Sequence, residues 1–136
     1  MFNTPHWPWQ GRTDNPYPLG TAVSWKKGGS PEVYKNMMQS LDDAIGKIVD
    51  AIDDAKLSNN TVIIFTSDKG GEIYSDMGIY KGMKLQLWGG EVSGVPAIVR
   101  WPEKIKANSV SNHVTTTMDW TATILALAKA KTHPDL

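Results

Sequence analysis

Four side chains in this sequence have the types to build a charged site, three cations and one acid: His6, Lys69, Lys84 and Asp68. Asp68 follows an unbroken apolar run, Val62-Ile63-Ile64-Phe65, and precedes Gly70-Gly71-Glu72. A carboxylate just past the carboxyl end of a strand stands where open α/β sheets collect ligands, so it can meet a metal ion or a charged substrate. It can equally cap the turn before Gly70, a task Asp often performs. Lysine as a point charge and histidine as a donor both stabilise charge on a leaving oxygen. A positive pocket at that strand end would suit an anionic group such as sulfate or phosphate. His6, between Pro5 and Trp7, has a plainer reading as a packed or surface histidine. Spacing alone cannot unite the four, because they fall on separate loops.

The elements that must position them are few. Residues 1–29 hold four prolines, three tryptophans and four glycines, which reads as one long irregular segment. Loops of that length in compact domains tend to be functional. Ser30-Pro31-Glu32 is a helix start, with a hydroxyl cap, a proline in the first turn and an acid at the positive dipole end. Apolar residues then recur with three-and-four spacing from Val33 to Ile52, giving one broad buried stripe. Asp42, Asp43, Asp50, Asp53 and Asp54 fall mostly on the other, solvated side. Asp42 and Asp43 are adjacent and therefore point apart on a helix, which argues against a shared metal.

The run at Thr61–Phe65 lacks alternation, which suits a strand covered on both faces, as in a parallel sheet. A second strand is expected at Val95–Arg100, with Pro96 near its start. Thr116 or Thr117 can cap a last helix through Trp120, Ile124, Leu125 and Leu127. The final residues, 132–136, read as a frayed or cut end. Two strands are too few for a strand buried on both faces, and a two-stranded sheet is marginal alone. The chain therefore reads as part of a larger α/β domain, its missing neighbours supplied by further sequence or by another chain.

Composition narrows the function classes. Lys plus Arg and Asp plus Glu number 14 each, so no electrostatic case exists for nucleic acid or an anionic membrane. No apolar run approaches the roughly 18 residues that span a bilayer. The first residues carry neither the basic start nor the apolar centre of a secretory signal. Cysteine is absent, which removes disulfides, thiolate zinc sites and cysteine nucleophiles and leaves the compartment undecided.

A family resemblance supplies what spacing cannot. The chain resembles the second half of the catalytic domain of a sulfatase, in the alkaline phosphatase superfamily. Asn3-Thr4-Pro5-His6 resembles the family segment in which a histidine follows Ala-Pro, and Leu41-Asp42-Asp43-Ala44-Ile45-Gly46 its Leu-Asp-Asp helix. Phe65-Thr66-Ser67-Asp68-Lys69-Gly70-Gly71-Glu72 resembles Phe-Thr-Ser-Asp-Asn-Gly-Gly-Glu, and Gly82-Met83-Lys84 the glycine-rich loop that ends in a substrate-binding lysine. Val95 to Pro102 and Met118-Asp119-Trp120 are similar to the downstream strand and helix.

The resemblance implies a partial three-layer α/β/α sandwich with a mainly parallel sheet, residues 1–136 forming a single region within it. It makes Asp68 a ligand of the active-site divalent cation, usually calcium, which prefers hard oxygen donors. His6 and Lys84 match residues that contact the sulfate ester and help its leaving oxygen depart. The implied reaction is hydrolysis of a sulfate ester to alcohol and sulfate.

Three departures qualify that picture. The family's nucleophile is a formylglycine made from Cys-x-Pro-x-Arg or Ser-x-Pro-x-Arg, and neither motif occurs in these residues, nor does the family's N-terminal pair of metal-binding aspartates. Lys69 stands where the metal-binding asparagine belongs. Like charges at about 4 Å repel by about 4 kcal/mol at an effective dielectric of about 20. Lys69 must then point away, or its charge replaces the metal. Gly89-Gly90-Glu91-Val92-Ser93-Gly94 has an apparent extra residue relative to Glu-Gly-Gly-hydrophobic-Arg and lacks the arginine. The expectation is a sulfatase-family polypeptide that does not turn over alone. The alternatives are a catalytically silent module that self-associates through unpaired strand edges, and a phosphate-ester hydrolase relative.

Overall fold

Residues 2–18, 20–22, 24, 27–78, 82–84 and 94–131 are described in a computed structural model of the chain. It divides into two compact units, Met1–Ile105 and Lys106–Leu136. Trp25, Tyr80, Lys81, the variant loop at residues 89–93 and the tail at 132–136 lie outside the described residues.

In the first unit, α1 spans Pro31–Asp54 and begins as its sequence requires. Ser30 is extended, and its hydroxyl accepts the Val33 N–H at 3.2 Å. Proline is harmless at that point because its missing N–H would have no helical partner. The helix stops at Ala55, and Lys56 then takes a left-handed φ of 60° while its N–H bonds Asp53 O at 3.0 Å. Met37 and Leu41 are buried on the inner stripe, whereas Met38 and Ile48 on its margins are exposed.

A single 3-10 turn, Ser58–Asn60, leads into β1 at Ile63–Thr66, and β2 follows at Ala97–Arg100. The two strands pair antiparallel, with Ile63 opposite Arg100 and Phe65 opposite Ile98. The expected parallel arrangement is therefore absent from this pair. An apolar run reports how many faces are covered and not which way the neighbour points. Nor are both faces covered here, since Ile98 is 60% exposed. Ile63 and Phe65 share one face, by the two-residue period of a strand. With Ile98 they look across a cavity of about 260 Å³ at Met38, Leu41, Ile45 and Val49 of α1.

Polar contacts join the ends of α1 and β2. Arg100 Nη2 donates to both carboxylate oxygens of Asp53, at 2.9 and 3.0 Å, and the Ser58 hydroxyl donates to Asp53 Oδ1. The Ser58 bond and then the Arg100 guanidinium hold the Asp53 carboxyl below its ordinary value. Trp101 Nε1 donates to Asn59 O at 2.8 Å beside them. Asp53, expected among solvated acids, is thus a structural anchor. Asp43 similarly receives Arg12 Nη2 at 2.6 Å, tying the N-terminal segment to α1.

The second unit carries α2, Thr117–Leu127. Asp119 Oδ2 accepts the Thr116 N–H at 2.7 Å and the Thr116 hydroxyl at 3.0 Å, so Thr116 is the cap. Those bonds, the backbone one first, lower the Asp119 carboxyl.

Candidate functional site

Asp68 stands two residues beyond the last residue of β1, exposed, with Lys69 exposed beside it. The Ser67 hydroxyl donates to Lys69 O at 2.9 Å and folds the chain over at this corner. The next residues make a tight turn built on Glu72, whose carbonyl accepts the Ser75 N–H at 2.9 Å and the Ser75 hydroxyl at 2.5 Å. Gly71 allows that turn to close, because a Cβ there would meet Ser75 Oγ and Met77 Sδ.

Lys84 docks on this corner twice. Its N–H donates to Gly71 O at 2.9 Å, and its Nζ lies 3.0 Å from Glu72 Oε1. Both side chains are largely removed from water, at 13% exposure for Lys84 and 16% for Glu72. The lysine and the strand-end acid, 16 residues apart in sequence, are thereby attached to one loop.

His6 lies on the irregular N-terminal segment, where no helix or strand occurs among the described residues. It is exposed, its Nδ1–H donates to Trp7 O at 2.6 Å, and its ring lies 5.3 Å from that of Trp7. A carbonyl can only accept, so Nδ1 carries a proton and Nε2 is the nitrogen open to a ligand. Peptide bonds Thr4–Pro5 and Trp7–Pro8 are cis. Among the described residues, no hydrogen bond or ion pair joins His6 to Asp68 or Lys84.

The segment carrying His6 is nevertheless fastened to the loop carrying Glu72. Trp9 is 1% exposed, and its ring meets Tyr74 edge-on at 5.3 Å and Tyr34 of α1 at 6.2 Å. Tyr34 and Tyr74 close the triangle at 6.4 Å. Gly29 lies against it, where a Cβ would come within 2.7 Å of Trp9 Cδ1. Neither these aromatics nor Glu72 stand out in the sequence as site residues. Their only signals there are the density of tryptophan among prolines and an acid inside a glycine-rich motif.

Calcium takes roughly six to eight oxygen ligands. Among the described residues, no three acidic or histidine side chains converge to hold a metal ion. The residues present do not fit the ion by themselves, Asp68 offering one carboxylate with an ammonium next to it in sequence. No helix among the described residues is long and apolar enough to cross a membrane.

Comparison with known proteins bears on this corner. The family described as Sulfatase matches residues 1–130. Steryl-sulfatase of Homo sapiens is 38% identical over 108 residues, covering 72% of this chain and 18% of that protein. An N-acetylgalactosamine-6-O-sulfatase of Bacteroides thetaiotaomicron is 38% identical over 87 residues, 54% of this chain and 17% of the relative. The crystal structure of Ps i-CgsB aligns with a TM-score of 0.71 at 27% identity, over 98% of this chain and 29% of that one. The same protein in complex with k-i-k-neocarrahexaose gives 0.79 at 24% identity, over 97% and 29%. The chain thus spans about a fifth of the curated relatives it matches.

Proposed function

This chain belongs to the sulfatase family, and from that premise we propose that its parent activity is hydrolysis of a sulfate ester to an alcohol and sulfate. The family fold is the α/β type of the alkaline phosphatase superfamily. In the proposed complete domain, residues 1–136 form one region of a three-layer sandwich with a mainly parallel sheet, to which β1, β2 and α1 contribute. Lys84 binds the anionic ester by its ammonium charge. His6 assists the leaving oxygen from Nε2, with Nδ1 held by Trp7 O. Asp68 is the oxygen donor that the family resemblance assigns to a divalent cation.

One observation supports this reading above others. The Lys84 N–H bond to Gly71 O, at 2.9 Å, docks the anion-binding residue on the loop three residues past Asp68. These 136 residues contain no cysteine and no Ser-x-Pro-x-Arg, so the proposal has them bind anion without turning over ester.

Titration with inorganic sulfate tests it. The chain is expected to bind sulfate, Lys84→Ala to bind it at least about tenfold more weakly, as loss of a charged hydrogen bond implies, and a chromogenic sulfate ester to remain uncleaved. Turnover that disappears in Lys84→Ala would refute the inactivity. Preference for phosphate over sulfate would favour a phosphate-ester hydrolase instead.

A second reading is favoured by Ile98, 60% exposed on the sheet, and by the apolar cavity beside it. In that reading the chain is a silent module whose open strand edges and apolar face pair with a second copy.

A further inference from the structure

We infer that Glu72 is the positioning residue for Lys84, holding its ammonium at the loop next to Asp68 so that an anion meets it in one orientation. The inference deepens the proposed function and rests on Lys84 as the anion contact. Lysine is a point charge on a flexible four-carbon stem, with three donors and no fixed geometry of its own. Something else must therefore fix where that charge stands. Here two contacts from consecutive residues do so: Gly71 O takes the Lys84 N–H at 2.9 Å, and Glu72 Oε1 lies 3.0 Å from Nζ. The first sets where the stem begins and the second where it ends. An ammonium has three N–H donors, of which the carboxylate engages one.

Glu72 is itself held. Its carbonyl carries both Ser75 bonds, and Tyr74 inside the same turn packs against buried Trp9. A carboxylate on a free loop would follow the lysine, whereas one on an anchored turn makes the lysine follow it. Water reaches little of either side chain, so screening weakens the pair less than it would on an open surface. Among the described residues no comparable partner orients Lys69, which is exposed.

The test is the acylation rate of each lysine in the 136-residue chain, read by mass spectrometry against exposed Lys35 and Lys106. Glu72→Gln is expected to raise Lys84 acylation relative to those references by at least about fivefold, what a favourable exposed ion pair already holds. Glu72→Asp should return it toward wild type, a rescue that a space-filling role alone would not give. If Glu72→Gln unfolds the chain, raising every lysine together, Ser75→Ala decides. It removes the hydroxyl bond that holds the Glu72 carbonyl in its turn and must then raise Lys84 acylation selectively. An unchanged Lys84 ratio in folded Glu72→Gln, or in Ser75→Ala where Glu72→Gln unfolds, overturns the inference. Protection of Lys84 by inorganic sulfate reads the underlying function separately. Its absence, with the Glu72 effect intact, removes sulfate binding and leaves the positioning role standing.

Discussion

At the scale of single residues the site is limited by space as much as by charge. Gly71 is the clearest case, since a Cβ would meet Ser75 Oγ and Met77 Sδ and come within 2.7 Å of Ser75 Cβ. Its carbonyl is also the acceptor for Lys84 N–H. Gly71→Ala is therefore expected to cost about 1–3 kcal/mol, the usual penalty of overpacking, visible as a lower urea midpoint. It should also weaken sulfate binding, because Lys84 loses its seat. Gly46, with open space around the Cβ position, serves as the control, and its alanine variant should be neutral or stabilising. Asp68 is legible from sequence because a strand end followed by glycines is a local pattern. Glu72 is not legible as a partner of Lys84, since a pair between residues 12 positions apart with no helical or strand period leaves no trace in the sequence.

Elements raise a different question, that of what ties α1, the sheet and the N-terminal segment together. Trp9 answers for the segment: it is 1% exposed and touches Tyr34 on α1 and Tyr74 on the site loop. Trp9→Ala should cost about 3–5 kcal/mol, the range for emptying a buried aromatic site. That is a large share of the roughly 5–15 kcal/mol that holds a typical domain. Chemical denaturation would measure it, and a cost below about 1 kcal/mol would contradict the packing described. Asp53 answers for α1 and β2, through Ser58 and Arg100. Its folded carboxyl lies below the ordinary 3.8, chiefly through the Ser58 bond and then Arg100. A depressed acid stabilises the fold fully above its unfolded value and loses that contribution as pH falls through the folded one. Wild-type stability should thus decline from about pH 3.8 downward, and Asp53→Asn should decline less steeply while starting lower. Urea midpoints across that window check both. Periodicity and the Ser-Pro-Glu start make α1 readable almost to the residue, because those signals are local. Asp53 shares its charge and spacing with solvated neighbours, and its partner Arg100 is 47 positions away. Strand direction is hidden for the same reason: it depends on how residues between Thr66 and Ala97 return the chain, which an apolar run does not encode.

For the molecule as a whole, the first unit carries more apolar surface than its described elements can cover. Only Trp9, Met37 and Leu41 among the described hydrophobic residues are buried. Ile98 is 60% exposed on the sheet and Ile48 is 48% exposed on α1, while Phe65, Ile63 and Val49 border a cavity of about 260 Å³. Exposed apolar surface of this kind points to association with another surface. With β1 and β2 forming the whole described sheet, their outer edges carry backbone groups that no other described strand pairs. The chain by itself should therefore self-associate, its mass by light scattering rising with concentration. Ile98→Lys places a charge in the middle of that face and adds no bulk to the core, because Ile98 is mostly in water already. It should lower the associated fraction while leaving the helical circular dichroism of α1 in place. If the wild type is instead a monomer at every concentration, the silent self-pairing module loses its physical basis. The apolar face would then belong to an interface with other parts of a sulfatase domain, which matches a chain spanning 29% of its solved relatives.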